Sequence, residues 1–239
     1  MKYQHLLALV SFFYCAEILS NKQPVLQVRT IAISPYGIET QGQQSGIYYD
    51  LANLLLKKAN IESQHYIYPY ARIIHELKVG KTDLTIMFKY KELEPYVDYV
   101  YPLPTLKNIV IGRKGQDFTS IESLRGMSIG YLRGAKFSDA IDNDSVIDKQ
   151  TITDISQGVT MLSLHRIDAI IGPASPIFSA AKNLNLADDF FGKPLVVSER
   201  TPWLQLSKKS LHKVSKKQLE GLFSEIMTQG ELEKIQQKY

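Results

Sequence analysis

The stretches LKVGKTDLTI at residues 77–86 and LSLHRIDAII at residues 162–171 share one layout: a helix end, a tight turn, an Asp, and a run of residues suited to a buried strand. Asp83 and Asp168 occupy the same place in the two. A carboxylate in such a turn can accept backbone N–H bonds, which gives the Asp a structural reason to be there. Any α/β unit can show this layout, so the echo by itself only suggests two related halves.

Working outward from these stretches, β-rich runs alternate with amphipathic helices, the signature of α/β architecture. Strands are expected at 28–34 (VRTIAIS), 64–68, 84–88 and 97–101, with helices at 48–59 (YYDLANLLLKKA) and 70–79. Residues 39–45 read as a polar loop leading to Gly46. Residues 107–112 (KNIVIG) read as a strand that crosses out of a first lobe. A second series follows, with strands at 123–132, 148–151 and 169–171 and helices at 135–141, 155–164 and 176–183. Residues 195–198 read as the crossing back, and helices at 216–229 and 231–238 close the chain.

Composition sets few limits. The chain has 239 residues, 44% hydrophobic and 22% charged, close to soluble globular averages and enough for two small cores. Its net charge of +4 is spread along the sequence. The nearest approach to a basic run, Lys208, Lys209, Lys213, Lys216 and Lys217, reads as a solvated helix face, so no nucleic-acid partner is expected.

The N-terminus is of another kind. Lys2 is followed by an apolar run at 6–16 (LLALVSFFYCA), the length of a signal h-region and too short to span a bilayer comfortably. Residues 1–20 are therefore read as a signal peptide, cleaved after Ala16 or Ser20, for export to the periplasm. The single cysteine, Cys15, lies inside it, which would leave the mature protein without a thiol. Tyr14 just before Cys15 speaks against a lipid anchor.

The order of elements carries a resemblance. Gly46-Ile-Tyr-Tyr-Asp50-Leu-Ala-Asn-Leu-Leu, Leu77-x-x-Gly80-x-x-Asp83, Val97-Asp98-Tyr99-x-x-Pro102, Ser123-Leu-Arg-Gly126-x-x-Ile129-Gly130, Asp168-Ala-Ile-Ile-Gly172 and the closing segment from Gly230 to Tyr239 follow one another in the chain. Together they resemble the type II periplasmic solute-binding proteins, within these the family 3-like proteins that serve amino-acid ABC transporters. The resemblance implies an α/β fold of two lobes joined by two hinge strands, with a ligand cleft between them. It also implies a monomer that hands a small molecule to the membrane permease of an ABC transporter, without a cofactor. Residues 21–108 and 196–239 would form the first lobe, and residues 109–195 the second. Strand ends and helix starts would face the cleft.

Against that family the chain departs in three places. An Arg just before the Val-Asp-Phe-like strand holds the ligand carboxylate in amino-acid binders; here the position falls on Leu93, and no Arg lies between Phe88 and Leu103. Lys89 and Lys91 are near but lack the planar fork. The acidic partner of the ligand ammonium falls on Pro173, after Gly172, and the usual Gly-Thr is Gly134-Ala135. An ordinary α-amino acid is thus not the expected ligand; a small polar or anionic molecule is.

The ligand-binding residues expected are the aromatics Tyr36, Tyr48, Tyr70, Phe88 and Tyr131 and the cations Arg72, Arg133 and Lys136. Rings supply apolar area with a polar tip, and Arg133 to Lys136, read as a helix start, offers N–H groups and two cations to an anion. Arg72 either replaces the missing Arg or pairs with Glu76 at i+4. No nucleophile elbow, zinc-binding helix or phosphate loop is present, and the five His are scattered without metal-ligand spacing. A non-enzymatic binder is therefore expected. The alternatives are a cyclohexadienyl-dehydratase-like enzyme, which needs an acid/base group in the cleft, and a receptor reporting to a membrane sensor.

Overall fold

The computed structural model describes residues 24–212 and 214–239. The signal peptide read at 1–20 lies outside them. The first lobe opens with β1 (Leu26–Ile31), a hairpin of β2 (Ile38–Thr40) and β3 (Gln43–Ser45), α1 (Ile47–Ala59) and β4 (Ser63–Tyr68). It continues through α2 (Tyr70–Val79), β5 (Leu84–Phe88) and β6 (Val97–Pro102). The second sheet is built from β7 (Leu106–Gly112), β8 (Ser128–Leu132), β9 (Asp148–Ile152), β10 (Ala169–Pro173) and β11 (Leu195–Arg200). Between these strands run α3 (Asp139–Asp142), α4 (Ile155–Ser163) and α5 (Ala174–Asn183). The chain then returns through β12 (Pro202–Ser207) to α6 (Lys216–Thr228) and α7 (Glu231–Gln236).

The two sheets have orders β4-β1-β5-β12-β6 and β11-β7-β10-β8-β9. This is the expected α/β architecture of two lobes. The links between them are short, residues 103–105 on the way out and residue 201 on the way back. The paired Asp residues do the same work in each sheet. The Asp83 carboxylate accepts the Gln27 N–H at 2.7 Å, and Gln27 in turn gives its carbonyl to Asp83 N–H. The Asp168 carboxylate accepts the Ser128 N–H at 2.8 Å, with the same return bond. Each Asp therefore pins the start of one strand to its neighbour in parallel register, rather than only closing its own turn.

Three local readings change. Residues 39–45 form a hairpin in which Ile38 opposes Ser45. Gln41 and Gly42 both have positive φ, as a two-residue turn of the I′ type requires. The helix read at 135–141 is only Asp139–Asp142. Gly134 at φ 78° turns the chain after Leu132, and the Asp142 carboxylate takes the N–H groups of Phe137 and Ser138, so helical bonding starts late. Finally, 202–207 is a central strand, β12, hydrogen-bonded to both β5 and β6. Its opening Pro202 hides it, because a proline argues against a central strand except at the first residue.

His65, on the edge strand β4, stacks on Tyr49 of α1 at 4.1 Å. Its Nδ1 lies 2.8 Å from Asn53 Oδ1, which can only accept, so Nδ1 carries the proton. Nε2 then accepts from the Thr30 hydroxyl, also at 2.8 Å. Burial, and next the Arg29 charge, lower its pKa to about 3. The unfolded chain takes up this proton near pH 6.5. Stability is therefore unaffected above that pH and falls as the pH drops toward 3. The loss reaches up to about 3 kcal/mol at pH 4. We expect His65→Gln to flatten this acid limb of the melting-temperature profile; an unchanged difference between pH 7 and pH 4 would refute the assignment.

Candidate functional site

The site lies where the C-terminal ends of β1, β5, β8 and β10 converge between the lobes. A cavity of about 30 Å³ lies there, lined from the first lobe by Ile31, Ile33, Tyr36, Tyr48, Tyr70, Met87, Phe88 and Tyr90. Leu106, Leu132 and Pro173 of the second sheet and Ala135 and Phe137 of the segment between β8 and α3 complete it, with Pro202 of the return strand. Of the expected ligand residues, Tyr36, Tyr48, Tyr70 and Phe88 meet in this wall. Tyr131, Arg72, Arg133 and Lys136 do not line it.

The wall is set by local geometry. Tyr36 leaves the turn after β1 and stacks on Tyr48 of α1, with centroids 4.3 Å apart and planes 14° from parallel. Gly46 starts α1 at φ 123°, and a Cβ on it would lie 2.5 Å from the Tyr36 carbonyl, so this close approach needs glycine. The end of β5 is held from below by buried Gln205 of β12, whose amide donates to the Met87 and Phe88 carbonyls at 2.9 and 3.0 Å. From that end Phe88 and Tyr90 enter the cleft. Lys89, between them, turns away and sits 3.6 Å from the Trp203 ring centroid. Burial raises the pKa of Tyr36, Tyr48, Tyr70 and Tyr90, so their phenols stay neutral and keep their donor protons.

The lobes touch along one rim. Gly134 of the second lobe packs on α2, so that an added Cβ would lie 3.1 Å from the Ala71 Cβ. The Lys136 ammonium lies 3.6 Å from Glu92, and the Lys136 N–H donates to the Tyr90 hydroxyl at 3.4 Å. That hydroxyl also accepts from Tyr70. Ser34 and Ser179 face one another at 3.4 Å. A wider, more polar part of the cleft, about 380 Å³, lies between Ser34, Glu39 and Pro69 on one side and Asp154, Ser156 and Pro176 on the other.

The remaining expected residues have other partners. Arg72 donates to Glu76 at 3.0 Å and lies over the Tyr68 ring at 3.6 Å, the helical pairing foreseen for it. Glu76 is buried and also holds Arg29 and Thr82 at 3.1 Å each. Tyr131 is half-buried and donates to Asp142. Arg133 is exposed on the turn beside Gly134. The Arg133–Lys136 turn is not a helix start, so no helix N-terminus acts there.

Two residues of the cleft carry no signal in the sequence reading. Tyr90 follows a strand end and is one tyrosine among fourteen. Arg200 ends β11 and reaches back to donate to the Lys89 carbonyl of one lobe and the Lys136 carbonyl of the other. It lies 4.8 Å from the Tyr90 ring centroid and 5.1 Å from that of Phe88. Only the packing of the return strand brings it there.

Two lobes, two short crossings and a closed aromatic cleft define a two-lobe solute-binding protein, and the comparisons agree. The model of the bacterial extracellular solute-binding proteins, family 3, matches residues 28–239, and the chain belongs to that family. It is 21% identical over 214 residues to the probable amino-acid-binding protein YxeM of Bacillus subtilis (strain 168), covering 86% of this chain and 79% of that one. An ancestral arginine-binding protein bound to arginine has a similar fold, with TM-score 0.77 and 22% identity over 90% of this chain and 97% of that one. The GluR0 ligand-binding core from Nostoc punctiforme in complex with L-glutamate gives TM-score 0.76 and 20% identity over 90% and 98%.

The ion pairs differ in weight. Arg29 and Glu76 are less than a tenth exposed, whereas the Arg72 side chain is 54% exposed. Glu76→Ala should cost about 3–5 kcal/mol by stranding buried Arg29, and Arg72→Ala less than about 1 kcal/mol; denaturant melts that rank them the other way would contradict this. Gly134→Val should hold the lobes apart, because both the contact with Ala71 and the positive φ oppose a side chain. Small-angle scattering should then show a larger radius of gyration than wild type; an equal radius would mean that closure does not pass through this contact.

Proposed function

We propose that this protein is a periplasmic solute-binding protein, exported by its N-terminal signal peptide, that closes on a small anionic molecule and delivers it to the membrane permease of an ABC transporter. It acts as a monomer and without a cofactor. The observation that carries this reading is the cavity wall, drawn from both lobes and the return strand, which is complete only when the lobes are shut. A ligand that touches both walls favours the closed arrangement by its differential affinity. In this reading the moving bodies divide near the links 103–105 and 201, a few residues from the boundaries at 108 and 195 read from the sequence.

The ligand is not a standard α-amino acid in this reading. The wall contains no Asp or Glu to face an ammonium group, Pro173 lines it where the family has its acid, and the Arg of the amino-acid grip is Leu93 here. The same wall favours binding over catalysis, since phenols held neutral by burial are its only titratable groups. Tyr36, Tyr48, Tyr70 and Phe88 supply contact area in the cavity. Arg133 and Lys136, at the rim, add positive potential that draws anions in.

A thermal-shift screen tests this. A ligand at a hundred times its dissociation constant adds about 2.7 kcal/mol, a rise of roughly 5–10 °C for a chain of this size. Organic and aromatic acids should raise the melting temperature, and Phe88→Ala should remove the rise. Strong shifts with common L-amino acids instead would overturn the ligand reading.

A further inference from the structure

Behind one corner of the cavity wall donors gather around one oxygen; Tyr70 and Tyr90 line the cavity, and Lys136 and Arg200 stand just behind them. Tyr70 O–H and Lys136 N–H both donate to the Tyr90 hydroxyl, and the Arg200 guanidinium lies against the face of the same ring. Tyr70 is fully buried and Lys136 N–H comes from the opposite lobe, so donors from both lobes converge on a neutral phenol. Arg200 meanwhile spends its N–H groups on two neutral carbonyls, those of Lys89 and Lys136. Among the described residues no carboxylate pairs with it; the nearby Glu92 is taken by the Lys136 ammonium. A half-buried guanidinium without a counter-ion is a cation with unused capacity, since a carboxylate can meet its planar fork with two parallel bonds and also supplies the opposite charge.

The rest of the cavity is apolar. Ile31, Ile33, Met87, Leu132, Phe137 and Pro173 surround the corner with hydrocarbon, and no acidic side chain lines it. A zwitterion held wholly within this cavity would bury its ammonium without a partner, since the carboxylates of the cleft, Glu39 and Asp154, line its separate polar part. A molecule with an apolar body and a single negative end has no such cost.

We infer that Arg200, on the return strand, is the anion-binding residue of this cleft, that the Tyr90 hydroxyl stands where the anionic group is received, and that the ligand class is a small hydrophobic monocarboxylic acid without an amino group. The inference rests on the solute-binding reading and names the chemistry of that site. A carboxylate taking the place of the Tyr90 oxygen gathers Tyr70 O–H from one lobe and Lys136 N–H from the other. Arg200 then exchanges its carbonyl acceptors for the carboxylate. At about 30 Å³ the cavity has to widen to admit the body, and rotation of Tyr90 out of the corner supplies part of the room.

Calorimetric titration of the purified protein with phenylacetate, phenylacetamide and L-phenylalanine separates charge, body and amino group. Phenylacetate should bind at least about tenfold more tightly than the other two. Arg200→Gln should weaken phenylacetate by about tenfold or more and leave the amide nearly unchanged, with Arg200→Lys in between because it keeps the charge but not the fork. A loss that is equal for acid and amide, or no loss at all, overturns the role of Arg200 while leaving the solute-binding reading intact. Tightest binding of L-phenylalanine overturns both the ligand class and the non-amino-acid reading. No heat from any of the three at millimolar concentration overturns the ligand class, and the thermal screen with other solutes then decides the wider reading separately.

Discussion

The first lobe cannot finish its sheet until the chain has been through the second. Strand β12 lies between β5 and β6, hydrogen-bonded to both, so two strands made early are joined only by one made late. This constraint fixes where the crossings must be. The outgoing chain leaves after β6, a neighbour of β12, and the returning chain enters β12 itself, so both links lie side by side at one edge of the cleft. Two links side by side permit rotation of one lobe against the other and little else, which is the geometry of a hinge.

The same strand shapes the cleft. Gln205, buried in the middle of β12, ties down the Met87 and Phe88 carbonyls and so aims the segment that carries Phe88 and Tyr90. Pro202 lines the cavity and Arg200 stands just ahead of it. On the opposite side Asn108 of β7 donates to Ser198, whose hydroxyl donates to the Phe137 carbonyl at 2.6 Å, which fixes the loop bearing Lys136. The two walls are thus each braced by a buried amide close to a crossing, so that a change at the hinge is transmitted to the cleft through bonds rather than through loose loops.

Much of this was legible in the sequence. Helical spacing placed α2, and a continuous run suited to a buried strand placed β5, at their observed bounds. The matched Asp83 and Asp168 suggested two related halves, and the structure shows why both are carboxylates: each accepts the N–H of a residue on the neighbouring parallel strand. Four of the eight expected ligand residues meet in one wall. What was not legible depends on distant parts of the chain. Pro202 masked a central strand, Asp142 delayed a helix by accepting N–H groups five and four residues before it, and Arg200 reaches the cleft only through the return pairing. Arg72 illustrates a local competitor: Glu76, one helical turn on, and the Tyr68 ring hold it beside α2.

The position of a cation in such a protein matters as much as its presence. An Arg rooted in the first lobe binds its anion whether the lobes are open or shut, so that contact does nothing for closure. Arg200 is rooted at the returning link, and its two terminal nitrogens already span the lobes through Lys89 and Lys136. In the closed arrangement it also faces Tyr70 and Tyr90 of one lobe together with Lys136 of the other. An anion held there meets donors whose separation changes with the hinge angle, so its binding energy differs between the two states, and that difference is what a ligand must supply to shift a population. With Leu93 at the place that the resemblance gives to a lobe-borne Arg, the proposed hinge-borne Arg200 would move recognition of charge from the docking step to the closing step.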